Sequence, residues 1–172
     1  MKNFTIVNPI IKGSLDTTIR SDAPLNAAID AYKNMSAYFA KNVPHFAFTL
    51  QEGGNMHHYI ATEKVNDSGK IKFTIKENKG VKNVSSLTNF IKTVYQKDGG
   101  GHSKSKSKYR YEDDSSSESS SESSDYNYYR PVKRQSAIDY WYYYPNVYNY
   151  DYYYVPQFTS AVVPYVYIST NR

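Results

Sequence analysis

Fourteen of the twenty tyrosines lie between Tyr126 and Arg172, and this crowding limits what the chain can become more than any other feature. Prolines at 131, 145, 156 and 164 bar a long helix there and hold the residues before them extended. The intervening Val147, Val155, Phe158, Val162, Val163, Val166 and Ile168 favour strands. Short extended segments are therefore expected, with a strand at Tyr165–Ser169. Three fates are open to such a tail. It packs back on its own domain and completes a small core, it self-associates as an aromatic-rich tract, or it docks on another protein. Tyr and Trp are enriched at interfaces because they give contact area at low entropic cost. Docking is the reading carried forward. Its expected anchors are Tyr140, Trp141, Tyr142, Tyr143, Tyr144, Tyr152, Tyr153, Tyr154, Phe158, Tyr165 and Tyr167.

At 172 residues the chain has room for one ordinary core plus extensions. The absence of cysteine excludes disulfides, thiolate metal sites and cysteine nucleophiles. No run of eighteen apolar residues is present, so no membrane span is expected, and the opening Met1-Lys2-Asn3-Phe4-Thr5 is not expected to be a secretory signal. Charge divides the chain into +6 over 1–97, −3 over 98–125 and +2 over 126–172. That is no strong polyanion-binding signature.

Residues 1–97 pattern as a small α+β domain. Phe4-Thr5-Ile6-Val7 opens as a strand, and Thr17-Thr18-Ile19 forms a second short one. Asp22 is the expected helix cap with Pro24 in the first turn, and Leu25, Ala28, Ile29, Tyr32, Ser36 and Phe39 form an apolar stripe. Three strands follow, separated by turns at Gly53-Gly54-Asn55 and Asn66-Asp67-Ser68-Gly69. Val84, Leu87, Phe90, Ile91 and Val94 give a second amphipathic helix. The expected architecture is an antiparallel sheet in the order β-α-β-β-β-α with helices on one face.

Residues 98–125 carry almost no apolar side chains and read as a disordered linker rich in Gly, Lys, Ser and acids. Ser115 and Ser119 each precede an acidic residue by three, the spacing acidophilic kinases use, and an unmodified spacer is the other reading. Residues 126–172 then form the extended tail.

Little in this pattern points to chemistry. His57 and His58 are adjacent on a strand, so they point to opposite faces and do not share a metal. Gly99-Gly100-Gly101 is not followed by Lys-Ser/Thr, so it is no phosphate loop. No cofactor and no enzymatic activity is expected. The helix, three-strand, helix order is that of a double-stranded-RNA-binding domain. The lysine cluster opening that family's second helix is missing here, where the sequence runs Asn83-Val84-Ser85-Ser86. The alternative function is therefore nucleic-acid binding through Lys70, Lys72, Lys76, Lys79 and Lys82, assisted by Lys104, Lys106, Lys108 and Arg110. A solvated basic sheet face explains those lysines equally.

One combination spans nearly the whole chain. It runs from Thr5-Ile6-Val7-Asn8-Pro9-Ile10-Ile11-Lys12-Gly13-Ser14 through Phe46-Ala47-Phe48-Thr49-Leu50 and His57-His58-Tyr59. Gly-Gly-Gly-His and an acidic Ser-rich spacer follow, and Tyr-Trp-Tyr-Tyr-Tyr-Pro, Tyr154-Val155-Pro156-Gln157-Phe158 and Val163-Pro164-Tyr165-Val166-Tyr167-Ile168 complete it. It resembles an uncharacterised protein family of nucleocytoplasmic large DNA viruses, the giant viruses related to mimivirus. The resemblance implies a viral origin, a setting in the virion or infected-cell cytoplasm, and a structural role. With the tail as the docking element, the expected partner is a capsid or core protein.

Overall fold

The structure is a computed structural model that describes residues 1–81, 84–97, 124–128, 137–148, 154–158 and 163–167. Nine strands and two helices lie among them: β1 (Lys2–Asn8), β2 (Ile10–Lys12), β3 (Thr18–Ser21), α1 (Pro24–Ser36), β4 (Phe46–Glu52), β5 (Asn55–Val65), β6 (Ile71–Glu77), α2 (Val84–Lys97), β7 (Ser124–Tyr128), β8 (Tyr140–Tyr143) and β9 (Val163–Val166). A 3-10 turn at Pro145–Val147 follows β8.

The mixed α/β character, the antiparallel sheet and the two amphipathic helices agree with the expectation from sequence. Helix α1 starts with Pro24 in the first turn, where its missing N–H costs nothing. Its cap, however, is Ala23 rather than Asp22. The Asp22 carboxylate lies 3.1 Å from the N-terminal ammonium instead, so the charge that would have capped the helix pairs across to the start of β1. The apolar stripe of α1 packs on the large sheet through Tyr32, whose ring meets Phe73 at 5.2 Å, Phe48 at 6.0 Å and Phe46 at 6.4 Å.

The large sheet runs β3-β1-β4-β5-β6-β7 with every pair antiparallel. Gly53 and Gly54 close the β4–β5 hairpin, with Gly53 at φ +56. At the next turn the Asn66 side chain accepts the Lys70 N–H at 2.8 Å and the Ser68 hydroxyl at 2.8 Å, the local bonding that makes Asn a turn residue. One expectation needs correcting here. Strand β7 begins at Ser124, inside the stretch assigned to the linker, and pairs with β6 from Ile71↔Tyr128 to Ile75↔Ser124. Helix α1 covers the large sheet, while α2 stacks Phe90 on Tyr144, which precedes the 3-10 turn, at 4.7 Å.

A second, three-stranded sheet runs β2-β8-β9. Strand β8 pairs antiparallel to β2 and parallel to β9. The expected division into a folded head and a separately presented arm therefore fails for residues 138–148. Ile138, Trp141, Tyr143, Tyr144, Val147 and Tyr148 belong to the same buried cluster as Phe4, Tyr32, Phe46 and Phe48. A head cut at residue 125 would leave the rings of Phe39 and Phe46 without their cover.

The join between the sheets is tight at Gly13. Its φ is +140, and a Cβ there would collide with the Ala137 carbonyl. On either side Leu15 N donates to Ala137 O at 2.9 Å and Asp139 N donates to Lys12 O at 2.8 Å. Gly13→Ala is expected to lower stability by roughly 2–3 kcal/mol. Urea unfolding reads this as a lower midpoint, and an unchanged midpoint would mean that the 12–15 and 137–139 segments do not meet in solution.

Candidate functional site

Strand β8 carries aromatic residues on both faces, and the pleat sorts them. Trp141 and Tyr143 point into the core at 0% and 2% exposure. Tyr140 and Tyr142 point outward, and Tyr144 continues that side under α2. The parallel register sets Tyr142 against Tyr165, so β9 adds Tyr165 to the same ladder, and Tyr167, just past its end, donates its backbone N–H to Tyr143 O at 2.8 Å. The rings stack across the strands, Tyr142 on Tyr165 at 5.2 Å and Tyr144 on Tyr167 at 5.5 Å. Tyr140, Tyr165 and Tyr167 remain 46%, 48% and 54% exposed. An outward sheet face normally carries polar residues, and this one carries tyrosines.

The predicted anchors thus divide. Trp141, Tyr143 and Tyr144 are corrected to core residues: Trp141 meets Phe158 at 5.1 Å and Phe46 at 5.8 Å, and the Tyr143 hydroxyl donates to Ala47 O at 2.9 Å. Tyr154 and Phe158 are half-buried, Tyr154 donating to Asn42 O at 3.2 Å and Phe158 packing on Phe39. Tyr140, Tyr142, Tyr165 and Tyr167 form the accessible face. Tyr152 and Tyr153 lie outside the described residues.

Between this ladder and α2 lies a groove of about 680 Å³. Phe90, Tyr144 and Tyr167 stack along one side, with Phe90–Tyr167 at 5.5 Å, and the Tyr142–Tyr165 pair forms another part of the wall. Helix α2 contributes Ser86, Asn89, Thr93 and Val94 beside Phe90, the i, i+3, i+4, i+7, i+8 spacing of one helix face. Lys12 lies at the groove with its ammonium 5.0 Å from the Tyr142 ring centre and 5.8 Å from that of Tyr140, within cation–π range.

A buried polar chain fixes the tail from the opposite side. In the β1–β4 pairing Ile6 faces Leu50 but Asn8 faces Thr49, a one-residue bulge. The extra residue turns Asn8 away from the face of Leu50 and onto that of Thr49. There its side chain acts like a strand edge: Tyr144 N donates to Oδ1 at 3.0 Å and Nδ2 donates to Tyr144 O at 2.8 Å. Nδ2 also donates to the Tyr148 hydroxyl at 3.1 Å. That hydroxyl lies 2.7 Å from Thr49 Oγ1, which lies 2.8 Å from His58 Nδ1. Each proton in this chain has an acceptor when Tyr148 donates to Thr49 and Thr49 donates to His58. The imidazole is then neutral, with its proton on Nε2.

Burial lowers the pKa of His58, and the neighbouring His57 charge lowers it further. The unfolded chain therefore takes up a proton here before the folded one does. This contribution to stability is full above about pH 6.5 and is lost as pH falls below that. Glu52 shifts in the same direction in a lower window, since hydrogen bonding to Lys2 holds it below 4.5. Thermal melts between neutral and mildly acid pH should fall in the wild type and fall less in His58→Gln. Equal slopes would remove His58 from the chain just described.

Lys72 and Lys64 are cross-strand neighbours on β6 and β5, while Lys79 lies 3.9 Å from Glu77. Lys70 and Lys72 are half-buried and Lys76 is exposed. Lys82, Lys104, Lys106, Lys108, Arg110, Ser115 and Ser119 lie outside the described residues. Glu63, which sequence gave no role, is 5% exposed and accepts the Val43 N–H at 2.6 Å. Among the described residues no three His, Cys, Asp or Glu side chains are grouped to hold a metal ion, and no helix is long and apolar enough to cross a membrane.

The fold and site define an α/β chain with a curled antiparallel sheet and an aromatic outer face. Over 104 residues it is 27% identical to an uncharacterized protein of Acanthamoeba polyphaga mimivirus, an alignment covering 57% of this chain and 58% of that one. The similarity is to a giant-virus protein, and the chain spans little more than half of it. No family model and no solved structure matches the chain.

Proposed function

We propose that the protein is a non-enzymatic structural or assembly protein of a giant virus that binds a capsid or core protein through the tyrosine ladder of its small sheet. The observation that carries this reading is the exposure of Tyr140, Tyr165 and Tyr167 on one face, where a solvated sheet would carry polar side chains. Rings held by strand pairing and stacking lose little further entropy on contact, which favours binding. The similarity to a mimivirus protein supplies the viral setting, and the virion or infected-cell cytoplasm is the location that fits it.

The test is the copy number of the protein in purified virions, relative to the major capsid protein. It is made for the wild type and for a variant with Tyr140→Ser, Tyr165→Ser and Tyr167→Ser. A fixed wild-type stoichiometry, lost in the folded variant, is expected. Equal incorporation of both would refute the ladder as the contact, and absence of the wild type from particles would refute the structural role.

A further inference from the structure

We propose that the side-chain chain His58–Thr49–Tyr148–Asn8 is an acid-opened latch, in which a proton taken up by His58 breaks the Tyr148 contact and frees the Pro145–Val147 turn from the large sheet. The device does not depend on what the ladder binds. It follows from a count of hydrogens. Three contacts join the four side chains: His58 Nδ1 to Thr49 Oγ1 at 2.8 Å, Thr49 Oγ1 to the Tyr148 hydroxyl at 2.7 Å, and Asn8 Nδ2 to that hydroxyl at 3.1 Å. With a neutral imidazole accepting at Nδ1, three hydrogens serve them, one each from Thr49, Tyr148 and the Asn8 amide. Asn8 cannot flip to offer its oxygen. Tyr144 N–H holds Oδ1 at 3.0 Å, and Tyr144 O accepts from Nδ2 at 2.8 Å. An imidazolium makes the other end a donor as well. Both hydroxyls then accept from outside, and two hydrogens compete for the one contact between them. The surplus hydrogen has no acceptor within the chain, and a buried donor left unpaired is costly.

The weakest-held member gives way. Thr49 and His58 sit on β4 and β5, each of which is paired on both sides, and Asn8 belongs to β1. Tyr148 only follows a three-residue 3-10 turn, with its N–H on Pro145 O at 2.9 Å. Its side chain is 2% exposed, so its hydroxyl reaches water only if the turn lifts. Tyr144 begins that turn and stacks on Phe90 at 4.7 Å and on Tyr167 at 5.5 Å, so lifting it disturbs the inner side of the aromatic layer.

The groups around His58 do not relieve an imidazolium. His57 and its partner Glu52, 3.3 Å from Nε2, lie on the opposite face of the sheet, as does Glu77 across from Tyr59. Lys76, across from Ile60, shares the face of His58 and is itself a cation. The titratable group packed against His58 from the tail is Tyr148, with ring centres 6.3 Å apart. Burial, and then the His57 charge, lower the His58 pKa in the closed state. The opened state therefore binds the proton more readily. The latch is closed above about pH 6.5, and below that the open fraction rises by up to about tenfold per pH unit until the lowered folded pKa is reached.

The test is amide hydrogen exchange of the full chain followed by NMR between about pH 7 and about pH 5. Protection of the Tyr148 N–H is expected to fall by about tenfold or more across this range. A local opening exposes little surface, so this fall should be unchanged by urea below the unfolding transition. In His58→Gln, whose neutral amide offers an oxygen to Thr49, protection should stay level with pH. In Thr49→Val, which leaves His58 to titrate but cuts the link, protection should be lower and equally level. Should His58→Gln fail to fold, Thr49→Val decides. A level profile in the wild type overturns the latch. So does a fall that grows with urea in step with the α1 amides, which would mean that only global unfolding is being titrated. The wild-type fall retained in either folded variant overturns it as well.

Discussion

Trp141→Ala is expected to lower the unfolding free energy by about 3–5 kcal/mol, the cost of emptying a large aromatic site in a packed core. Trp141 is wholly buried, and its ring meets Phe39 at 5.9 Å, Phe46 at 5.8 Å and Phe158 at 5.1 Å. Phe39 follows α1, Phe46 opens β4 and Phe158 belongs to the 154–158 segment, so one side chain holds three distant parts of the chain together. A domain of this size has only about 5–15 kcal/mol in hand, so the loss would leave it barely folded. Trp141→Phe should cost less, roughly 1–2 kcal/mol. The indole N–H finds no acceptor among the described residues, so the smaller ring forfeits packing but no hydrogen bond.

The same residue reports on whether the tail and the large sheet unfold together. Trp141 is the sole tryptophan, so its emission monitors residues 138–148 while circular dichroism follows the sheet. Coincident urea midpoints are expected for one cooperative unit. An emission shift well before the loss of sheet signal would restore the tail to the status of an arm that docks and undocks.

The parts of the fold legible in the sequence were those where one side of an element is apolar and punctuation is local. Phe46, Phe48 and Leu50 alternate with smaller or polar neighbours, and Gly53-Gly54 and Asn66–Gly69 mark the turns between strands. The tail hid its pattern because tyrosine serves on both faces of β8. Trp141 and Tyr143 go to the core while Tyr140 and Tyr142 go to solvent, so hydropathy shows no period of two even though the strand has one. Helix α2 misled for another reason. Its apolar residues predict a buried face, but nothing local says which sheet receives it, and Ser86, Asn89 and Thr93 read as ordinary surface until they line a groove. Asn8 was beyond reach altogether. Simple alternation from Ile6 puts it on the side of the apolar core, and only the bulge opposite Thr49 turns it to its partners.

Asn8 therefore carries the second large expectation. Asn8→Ala should cost about 2–4 kcal/mol, because it strands the buried N–H and C=O of Tyr144 and removes a donor from Tyr148. Asn8→Asp separates the hydrogen-bonding role from size. As a carboxylate it still accepts from Tyr144 N, but it has nothing to donate to Tyr144 O and is a charge with no exposure to water. Its folded pKa should rise above the usual carboxylate value, so the penalty is full at high pH and shrinks as pH falls through that raised value. The protonated acid, one donor and one acceptor, then stands in for the amide. The stability deficit of Asn8→Asp against wild type should accordingly narrow on acidification, opposite in sign to the loss expected at His58. Urea midpoints of both proteins across neutral and acid pH measure it directly. A deficit independent of pH would mean that Asn8 fills space beside Tyr144 without pairing to its backbone, and the strap holding the aromatic layer to β1 would have to lie elsewhere.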